Sequence, residues 1–261
     1  MIANVFFPAR PITHMAWVWR LAPTSWGDGA DACSPFWHSE MATSNFVFIC
    51  AQVDNSAGPA GVMGYDDPAG ISSALAQENV IASVTGSKAS SNVIIGSSAS
   101  AMTALYAVAL NPTTFSHVFA FDSPVDQANR YASEGPEAKL SMEIEFGGPP
   151  VGDLLNTYIA RSPIGHIHDY QRSSTQIHLF MSRTDRTTCV SEQIPGFVEG
   201  LLSGGGSLSV GTGTWEHGAS MDVYGGLILV GAGIVAPTPD LPEPNWVTVT
   251  AATAQALLGC A

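Results

Sequence analysis

The sequence predicts an α/β fold in which a mostly parallel central sheet is covered by helices on both faces. Short apolar runs rich in β-branched and aromatic residues alternate with segments of helix-forming residues, in units of about 30 residues. Several runs, such as 46–53, are continuously apolar, which is typical of strands buried on both faces of a parallel sheet. Together these two patterns favour alternating strands and helices over an all-β or all-helical chain.

The chain of 261 residues is predicted to form a single domain with a sizeable core. Apolar residues make up 46% and charged residues 12%, a composition that excludes a disordered chain. A polar, irregular insertion is predicted at 126–174, and it is the candidate for a small cap. The proline-rich segment at 237–261 is predicted to be a C-terminal strap, in which 247–258 packs back on the body.

The individual elements follow from apolar runs, helical spacing and the proline and glycine residues that end them. Strands are predicted as a short lead-in strand within 1–13 and at 15–21, 46–53, 93–95, 117–121, 176–181 and 207–211. Helices are predicted at 35–43, 71–85, 101–110, 191–202 and from residue 221 onward. A long Gly/Pro/Asp loop is predicted at 54–68.

The charge balance excludes two classes of partner. A formal net charge of −13 repels phosphate backbones and anionic lipid surfaces, so neither nucleic acid nor membrane adsorption is predicted. The most apolar run, 227–236, is shorter than the ~20 residues that span a bilayer, and it is predicted to be a buried helix or strand. The first residues lack a basic region followed by an apolar one, so no signal peptide is expected. A cytoplasmic protein and a mature secreted or virion-borne form would look the same, which leaves the compartment open, and the oligomeric state is open as well.

The four cysteines show no Cys-x-x-Cys spacing, so no zinc or redox site is predicted. Cys50 lies in a predicted core strand, and we expect it to be a buried free thiol. The other three, Cys33, Cys189 and Cys260, fall in predicted loops or at the terminus and leave room for one disulfide.

The stretch 92–106 changes from a β-branched run to helix formers, with only small residues between the two. A strand that turns sharply into a helix needs small neighbours, because larger side chains near the turn would collide. This is the geometry of a nucleophile elbow, which exposes one residue at the helix N-terminus. The exposed residue is predicted to be Ser98, and Ser100 stands where glycine is usual.

A serine hydroxyl needs a base to take its proton and an acid to hold that base. Active residues of parallel sheets gather at the carboxyl ends of the strands. Asp185 follows the predicted strand 176–181, and His217 follows the strand near residue 210. Asp122, also at the end of a strand, is the alternative acid.

Several segments resemble the α/β-hydrolase superfamily, in particular its esterase and prolyl-oligopeptidase-like group with polyhydroxyalkanoate depolymerase-like and feruloyl-esterase-like enzymes. The segment 158–164 resembles the one that these enzymes carry before the acid-bearing strand. Asp185, followed by a helix starting near 191–193, resembles their acid turn, and His217-Gly218 resembles their histidine loop. The resemblance covers roughly residues 15–225.

The resemblance implies a serine hydrolase that cleaves a carboxylic ester, of a small-molecule or polymeric substrate, through an acyl-enzyme and without a cofactor. It implies that Ser98 is the nucleophile, Asp185 the acid and His217 the base. Asp185 is preferred to Asp122 because the acid of this fold favours that strand position.

The sequence departs from the family at the oxyanion hole. The strand at 15–21 would normally lead into His-Gly, but here it leads into Ala22-Pro23-Thr24-Ser25. Pro23 has no N–H, so Thr24 or Ser25 must supply one donor. The backbone N–H of Ala99, at a helix N-terminus, is predicted to be the other.

Trp215, Ser25 and Tyr65 are the predicted substrate-binding residues. Two other functions remain open, a serine peptidase or amidase of the same fold and a catalytically inert binding or structural module. The run His166-Ile167-His168-Asp169 resembles a set of metal ligands, but no second His/Cys cluster completes it. We therefore predict no metal site and interpret this run as two histidines on one side of an extended segment.

Overall fold

The computed structural model describes residues 3–7, 15–23, 46–53, 67–188, 194–217 and 246–249. Within these ranges eight strands form one sheet. They are β1 (Ala3–Phe6), β2 (Ala16–Pro23), β3 (Phe46–Val53), β4 (Ser91–Ser97), β5 (His117–Phe121), β6 (Gln176–Ser182), β7 (Leu208–Gly213) and β8 (Trp246–Val249). The helices are α1 (Pro68–Leu75), α2 (Gln77–Thr85), α3 (Ala99–Leu110), α4 (Gln127–Ser133), α5 (Pro136–Phe146), α6 (Asp153–Ala160), α7 (Ile167–Arg172) and α8 (Pro195–Ser203), with a 3-10 turn at Pro163–His166.

The strand order in the sheet is β1-β3-β2-β4-β5-β6-β7-β8. Strands β2 to β7 run parallel to their neighbours, whereas β1 and β8 pair antiparallel at the two ends of the described sheet. The prediction of a mostly parallel sheet in an α/β fold is confirmed.

The chain reverses its direction of travel across the sheet at β2. Strands β3 and β4 both pair with β2, on opposite sides of it. Such a topological switch point opens a crevice at the carboxyl ends of the strands, where open α/β sheets bind ligands. Because β4 to β7 are neighbours in sequence order, residues that follow these strands meet at the same edge.

Alternate residues of the strands build two apolar cores. Trp17, Trp19 and Leu21 of β2 join the core that includes residues of α1, α2, α3, α7 and α8. Val18 of β2 and Phe121 of β5 belong to the core on the opposite face, and both are fully buried. The small residues of α3 allow it to lie close to β2, β4 and β5, with almost every side chain buried. The second helical layer predicted for the opposite face falls outside the described residues.

The segment 126–174 is helical, and the prediction of an irregular insertion is wrong. Asp126 caps α4 by accepting N–H bonds from Ala128 and Asn129 at 2.9 and 3.1 Å. Pro136 occupies the first turn of α5, where its missing N–H costs nothing. Apolar residues of α5 and α6 pack on α3, in a cluster made of Met102, Met142, Phe146 and Tyr158. A cap function for this segment stays a prediction.

The predicted helix 71–85 is two helices, which meet at Ala76. Ala76 itself has right-handed helical torsions, so neither glycine nor proline marks the break. No described helix is long and apolar enough to cross a membrane. The predictions for 35–43, for the loop 54–66 and for residues 218–245 fall outside the described residues.

Cys50 is fully buried in β3, but its sulfur is in a disulfide, so the predicted free thiol is wrong. Its partner lies outside the described residues. The strand position of Cys50 determines that it is buried, but a strand pattern carries no information on which cysteine pairs with it.

A histidine pair links the amino ends of β5 and β6. Nδ1 of His117 lies 3.1 Å from Nε2 of His178, and Nδ1 of His178 lies 2.7 Å from Oγ of Ser209. The His178 ring stacks on Phe119, with 4.5 Å between the ring centroids. Burial, with the charge of His117 as a smaller cause, lowers the pKa of His178 from 6.5 to about 4. Burial lowers the pKa of His117 as well.

The free energy of unfolding is expected to decrease as the pH falls from 6.5 towards about 4. In that window His178 is protonated in the unfolded chain and neutral in the folded chain, so acid favours unfolding. Urea unfolding at pH 7 and pH 5 measures the difference. His178→Gln should make this difference in the free energy of unfolding smaller. His168→Gln, at an exposed position of α7, should leave the difference unchanged. An equal pH dependence in wild type and His178→Gln would contradict the assignment.

Candidate active site

Ser98 lies at the turn between β4 and α3. It is the N-cap of α3 and has φ 53° and ψ −126°, a left-handed conformation that non-glycine residues rarely adopt. Its backbone N–H donates to the carbonyl of Phe121, at 2.8 Å, which ties the turn to the end of β5. The side chain is therefore presented at the carboxyl edge of the sheet, at the N-terminus of a buried helix.

Small neighbours make this turn sterically feasible. A Cβ added to Gly96 would lie 2.4 Å from the backbone carbon and oxygen of Ser100. Ser100 contributes more than small size, because its Oγ accepts the Ser97 N–H at 2.9 Å and donates to the Ser97 carbonyl at 2.8 Å. The serine that replaces the usual glycine thus closes the turn with two hydrogen bonds.

His217, which follows β7, lies between Ser98 and Asp185. Its Nε2 is 2.8 Å from Oγ of Ser98, and its Nδ1 is 2.7 Å from Oδ2 of Asp185. A carboxylate only accepts hydrogen bonds, so we assign the ring proton to Nδ1. The lone pair of Nε2 is then directed at the serine hydroxyl, as a general base requires.

Asp185 is buried at the turn after β6. Its Oδ1 accepts the N–H groups of Thr187 and Thr188 at 2.8 and 3.2 Å. Burial raises the pKa of this carboxyl, but the hydrogen bond and charge of His217 and the two N–H donors outweigh burial and lower the pKa below its ordinary value. The Asp185 carboxylate therefore stabilises the folded state at pH values above the ordinary carboxyl pKa. This stabilisation is lost as the pH falls through the lower pKa of the folded state.

Asp122 is also buried at the carboxyl edge, but its described hydrogen bonds go elsewhere. Its two oxygens accept the indole N–H of Trp215 at 3.1 and 2.9 Å, and Oδ1 also accepts the N–H of Ser182 at 2.9 Å. Of the two candidate acids, the structure places Asp185 against the ring of His217 and Asp122 against the indole of Trp215.

Nδ1 or Nε2 of His217 and one carboxylate oxygen each of Asp122 and Asp185 lie within 4.8 Å of one another. A carboxylate–imidazole group of this kind is a potential metal site, but both carboxylates already accept backbone or indole N–H groups. The imidazole is likewise hydrogen-bonded at both nitrogens. The arrangement fits a proton-transfer site better than a metal centre.

The run 166–169 is helical, so its interpretation as an extended segment is wrong. Both ring nitrogens of His166 have partners, with Nδ1 2.8 Å from Oδ2 of Asp169 and Nε2 2.7 Å from the Ala160 carbonyl. His168 instead lies 3.1 Å from the side-chain oxygen of Gln171. The two histidines therefore have separate partners.

Of the remaining predicted site residues, the structure describes two and leaves three outside the described ranges. Ala99 is the first residue of α3, where a backbone N–H has no intrahelical acceptor. Thr24, Ser25 and Tyr65 fall outside the described residues. Trp215 is half-buried, with its indole N–H on Asp122.

Sequence reasoning missed Ser182, the last residue of β6. Its Oγ donates to the Trp215 carbonyl at 2.6 Å and accepts the Trp215 N–H at 3.0 Å. These two bonds hold the chain that leads into His217. No motif marks this serine, and its position at the end of a strand is the one signal for it.

No protein-family model matches this sequence, and no curated protein matches it. Solved structures do resemble it in three dimensions. Pyrococcus horikoshii acylaminoacyl peptidase matches 87% of this chain with 38% of its own, at a TM-score of 0.65 and 12% identity. A Mycobacterium tuberculosis puromycin-hydrolyzing peptidase matches 94% with 40% of its own, at a TM-score of 0.67 and 17% identity.

An S-formylglutathione hydrolase from Agrobacterium tumefaciens matches 84% of this chain with 86% of its own, at a TM-score of 0.60 and 15% identity. The chain thus spans about 40% of the length of the two peptidases but most of the length of this hydrolase. At these identities the likeness concerns the fold. Together with the mostly parallel sheet and its helices, it shows that the chain has the α/β-hydrolase fold.

Proposed function

We propose that this protein is a serine hydrolase that cleaves carboxylic esters, with Ser98 as nucleophile, His217 as base and Asp185 as the acid that orients the base. One observation carries the proposal. The side chains of these three residues form a continuous hydrogen-bonded chain, with distances of 2.8 and 2.7 Å, at the carboxyl edge of the sheet. The nucleophile also occupies a strained turn, as functional residues often do.

In the proposed mechanism, Oγ of Ser98 attacks the ester carbonyl carbon while Nε2 of His217 takes the hydroxyl proton. Asp185 holds the Nδ1 proton and stabilises the imidazolium that forms. The tetrahedral intermediate collapses when the alcohol leaves with the proton from Nε2. Water then attacks the acyl-enzyme while Nε2 of His217 takes its proton, and His217 returns that proton to Oγ of Ser98 as the carboxylic acid leaves.

The oxyanion of the tetrahedral intermediate is proposed to accept the N–H of Ala99 and that of Thr24. Ala99 is suited to this because its N–H lies at the positive end of α3. Thr24 follows β2, which pairs in parallel with β4 and has Trp19 opposite Ile94. The strand that precedes Thr24 in the sequence is thus the neighbour of the strand that leads into Ser98.

Esters are the proposed substrates because an alcohol leaves a tetrahedral intermediate with less assistance than an amine does. The structural likeness to the S-formylglutathione hydrolase also supports this candidate. An amide or peptide bond is the second candidate, favoured by the structural likeness to the two peptidases. Parallel assays on a p-nitrophenyl ester and the matching p-nitroanilide distinguish the two candidates.

Ser98→Ala is expected to reduce turnover of p-nitrophenyl acetate at least about 10³-fold, because removal of a triad nucleophile leaves only the oxyanion hole and binding. Labelling with a fluorophosphonate probe, read by mass spectrometry, should be found on Ser98 and should disappear in the variant. Both measurements are made on the full chain.

Ser133→Ala is the matched control, because it removes a hydroxyl at the exposed end of α4. It should retain wild-type turnover and labelling. Turnover that survives in Ser98→Ala would overturn the proposed nucleophile, and a folded wild-type protein without label or turnover would favour the inert module.

A further inference from the structure

Asp122 is a fully buried carboxylate that the proposed mechanism does not use. It follows β5 directly and has φ 46°, the left-handed region that non-glycine residues avoid. Its backbone N–H donates to the Phe180 carbonyl at 2.8 Å, which fixes this turn against β6. A strained residue held so firmly presents its side chain in one direction.

That direction is towards the histidine loop, which we define as residues 214–217. Both oxygens of Asp122 accept the indole N–H of Trp215, two residues before His217. Trp215 is also held by its backbone, which exchanges two hydrogen bonds with Oγ of Ser182. The indole packs beside the apolar face that contains Phe121 and Phe180. The position of the loop before His217 is therefore set by Asp122 and Ser182.

The charge of Asp122 also reaches the imidazole. One of its oxygens lies within 4.8 Å of a ring nitrogen of His217 and of an Asp185 oxygen. Asp185 from the turn after β6 and Asp122 from the turn after β5 both lie beside His217, and Glu216 is its neighbour in the chain. Two carboxylates thus flank the ring that gains a proton during the proposed reaction.

We propose that Asp122 is a positioning residue that holds the histidine loop through Trp215 and stabilises the protonated form of His217 by its charge. The proposal rests on the proposed function, in which His217 is the base. Asp122, the second acid at the carboxyl edge, thus has a separate role from Asp185, which contacts the imidazole ring of His217.

Three variants separate the two parts of this role. Asp122→Asn removes the charge and keeps the size of the side chain. Trp215→Phe removes the indole N–H and keeps the carboxylate. Glu137→Gln removes one negative charge at an exposed position of α5 and serves as the control.

In Asp122→Asn the acidic limb of the pH profile of kcat/KM is expected to move to lower pH by about 0.5 to 2.5 units, the range for one charge at this distance in water-like to protein-like surroundings. The direction follows because loss of a nearby negative charge makes the imidazolium release its proton more readily. Trp215→Phe should lower kcat/KM about tenfold or more without moving the limb to lower pH. Glu137→Gln should match wild type in both quantities.

The titration of the His217 ring is also followed by NMR, which needs no turnover. Its midpoint should move to lower pH in Asp122→Asn by the same amount as the kinetic limb. An unmoved ring titration in folded Asp122→Asn would overturn the inference. A wild-type protein without turnover or label would overturn the proposed function, while the ring titration still decides whether Asp122 acts on His217.

Discussion

Asp185→Asn is expected to lower kcat on a p-nitrophenyl ester about 10³- to 10⁴-fold, with little change in KM. Asparagine has the same shape, but its amide can offer an N–H to Nδ1 of His217, where Oδ2 now lies 2.7 Å away. The ring proton would then reside on Nε2, which faces Ser98 at 2.8 Å and must be free of a proton to act as base. The binding surface is unchanged, so the loss concerns the chemical step.

The measurement is steady-state turnover of p-nitrophenyl acetate near pH 8, on protein whose folding is verified by circular dichroism. Asp122→Asn is the matched comparison, because it makes the same chemical change at the other buried carboxylate of the site. It should lose at least tenfold less activity at this pH than Asp185→Asn. The reverse order of losses would identify Asp122 as the acid and refute the assignment made from the hydrogen bonds.

Gly96→Ala is expected to cost about 1–3 kcal/mol of the free energy of unfolding or more, and to slow fluorophosphonate labelling about 100-fold. The added methyl group would lie 2.4 Å from the carbonyl carbon and oxygen of Ser100 and 2.6 Å from the N of Ala101. All three are backbone atoms at the start of α3, so relief requires that the helix or β4 move. A displacement of about 1 Å at Ser98 is enough to misalign it with His217.

Gly135→Ala is the control for this substitution. Gly135 has an ordinary φ of −72°, and a Cβ there would meet no atom within 4 Å. Urea unfolding and labelling rates of the two variants are compared with those of wild type. Wild-type stability together with wild-type labelling in Gly96→Ala would show that the elbow tolerates a larger neighbour than its geometry permits.

The parallel sheet was predictable because strands that are buried on both faces are continuously apolar. The elbow was predictable because it requires small residues. Continuous apolar runs identified β3, β4, β5 and β6 to within a few residues at each end. The steric requirement at the turn was readable from Gly96 and Ser100, because only small residues fit between a strand and a helix that meet so sharply.

The helices of 126–174 were missed because their apolar pattern does not report their buried face. On α5, Leu140 and Ile144 are exposed, whereas Glu145 is buried against Arg161. A search for apolar residues at helical spacing therefore finds the wrong side of the helix. The residues that start these helices, Asp126 as an N-cap and Pro136 in a first turn, were the better signal, since they depend on backbone geometry rather than on burial.

Position at a strand end alone does not distinguish Asp122 from Asp185, since both follow strands of the same edge, and the preference for Asp185 depended on the resemblance to a known fold. The left-handed turn at Asp122 directs its carboxylate to Trp215, and the turn after Ser182 brings Asp185 to the ring of His217. Both contacts depend on local torsion angles and join residues that are more than 30 positions apart. Neither contact can be inferred from the types of the residues and their order.

The strand order has a consequence for folding. The base and the nucleophile are 119 residues apart in the chain, and the hydrogen bond between them exists only when β7 has joined a sheet that already contains β4, β5 and β6. Each strand that joins closes a loop much shorter than 119 residues, but the bond between Ser98 and His217 is made only after all of these closures. A chain in which only β2 to β5 have assembled would contain the turn at Ser98 but would lack His217 beside it. Competence for serine labelling therefore reports that β4 to β7 have assembled.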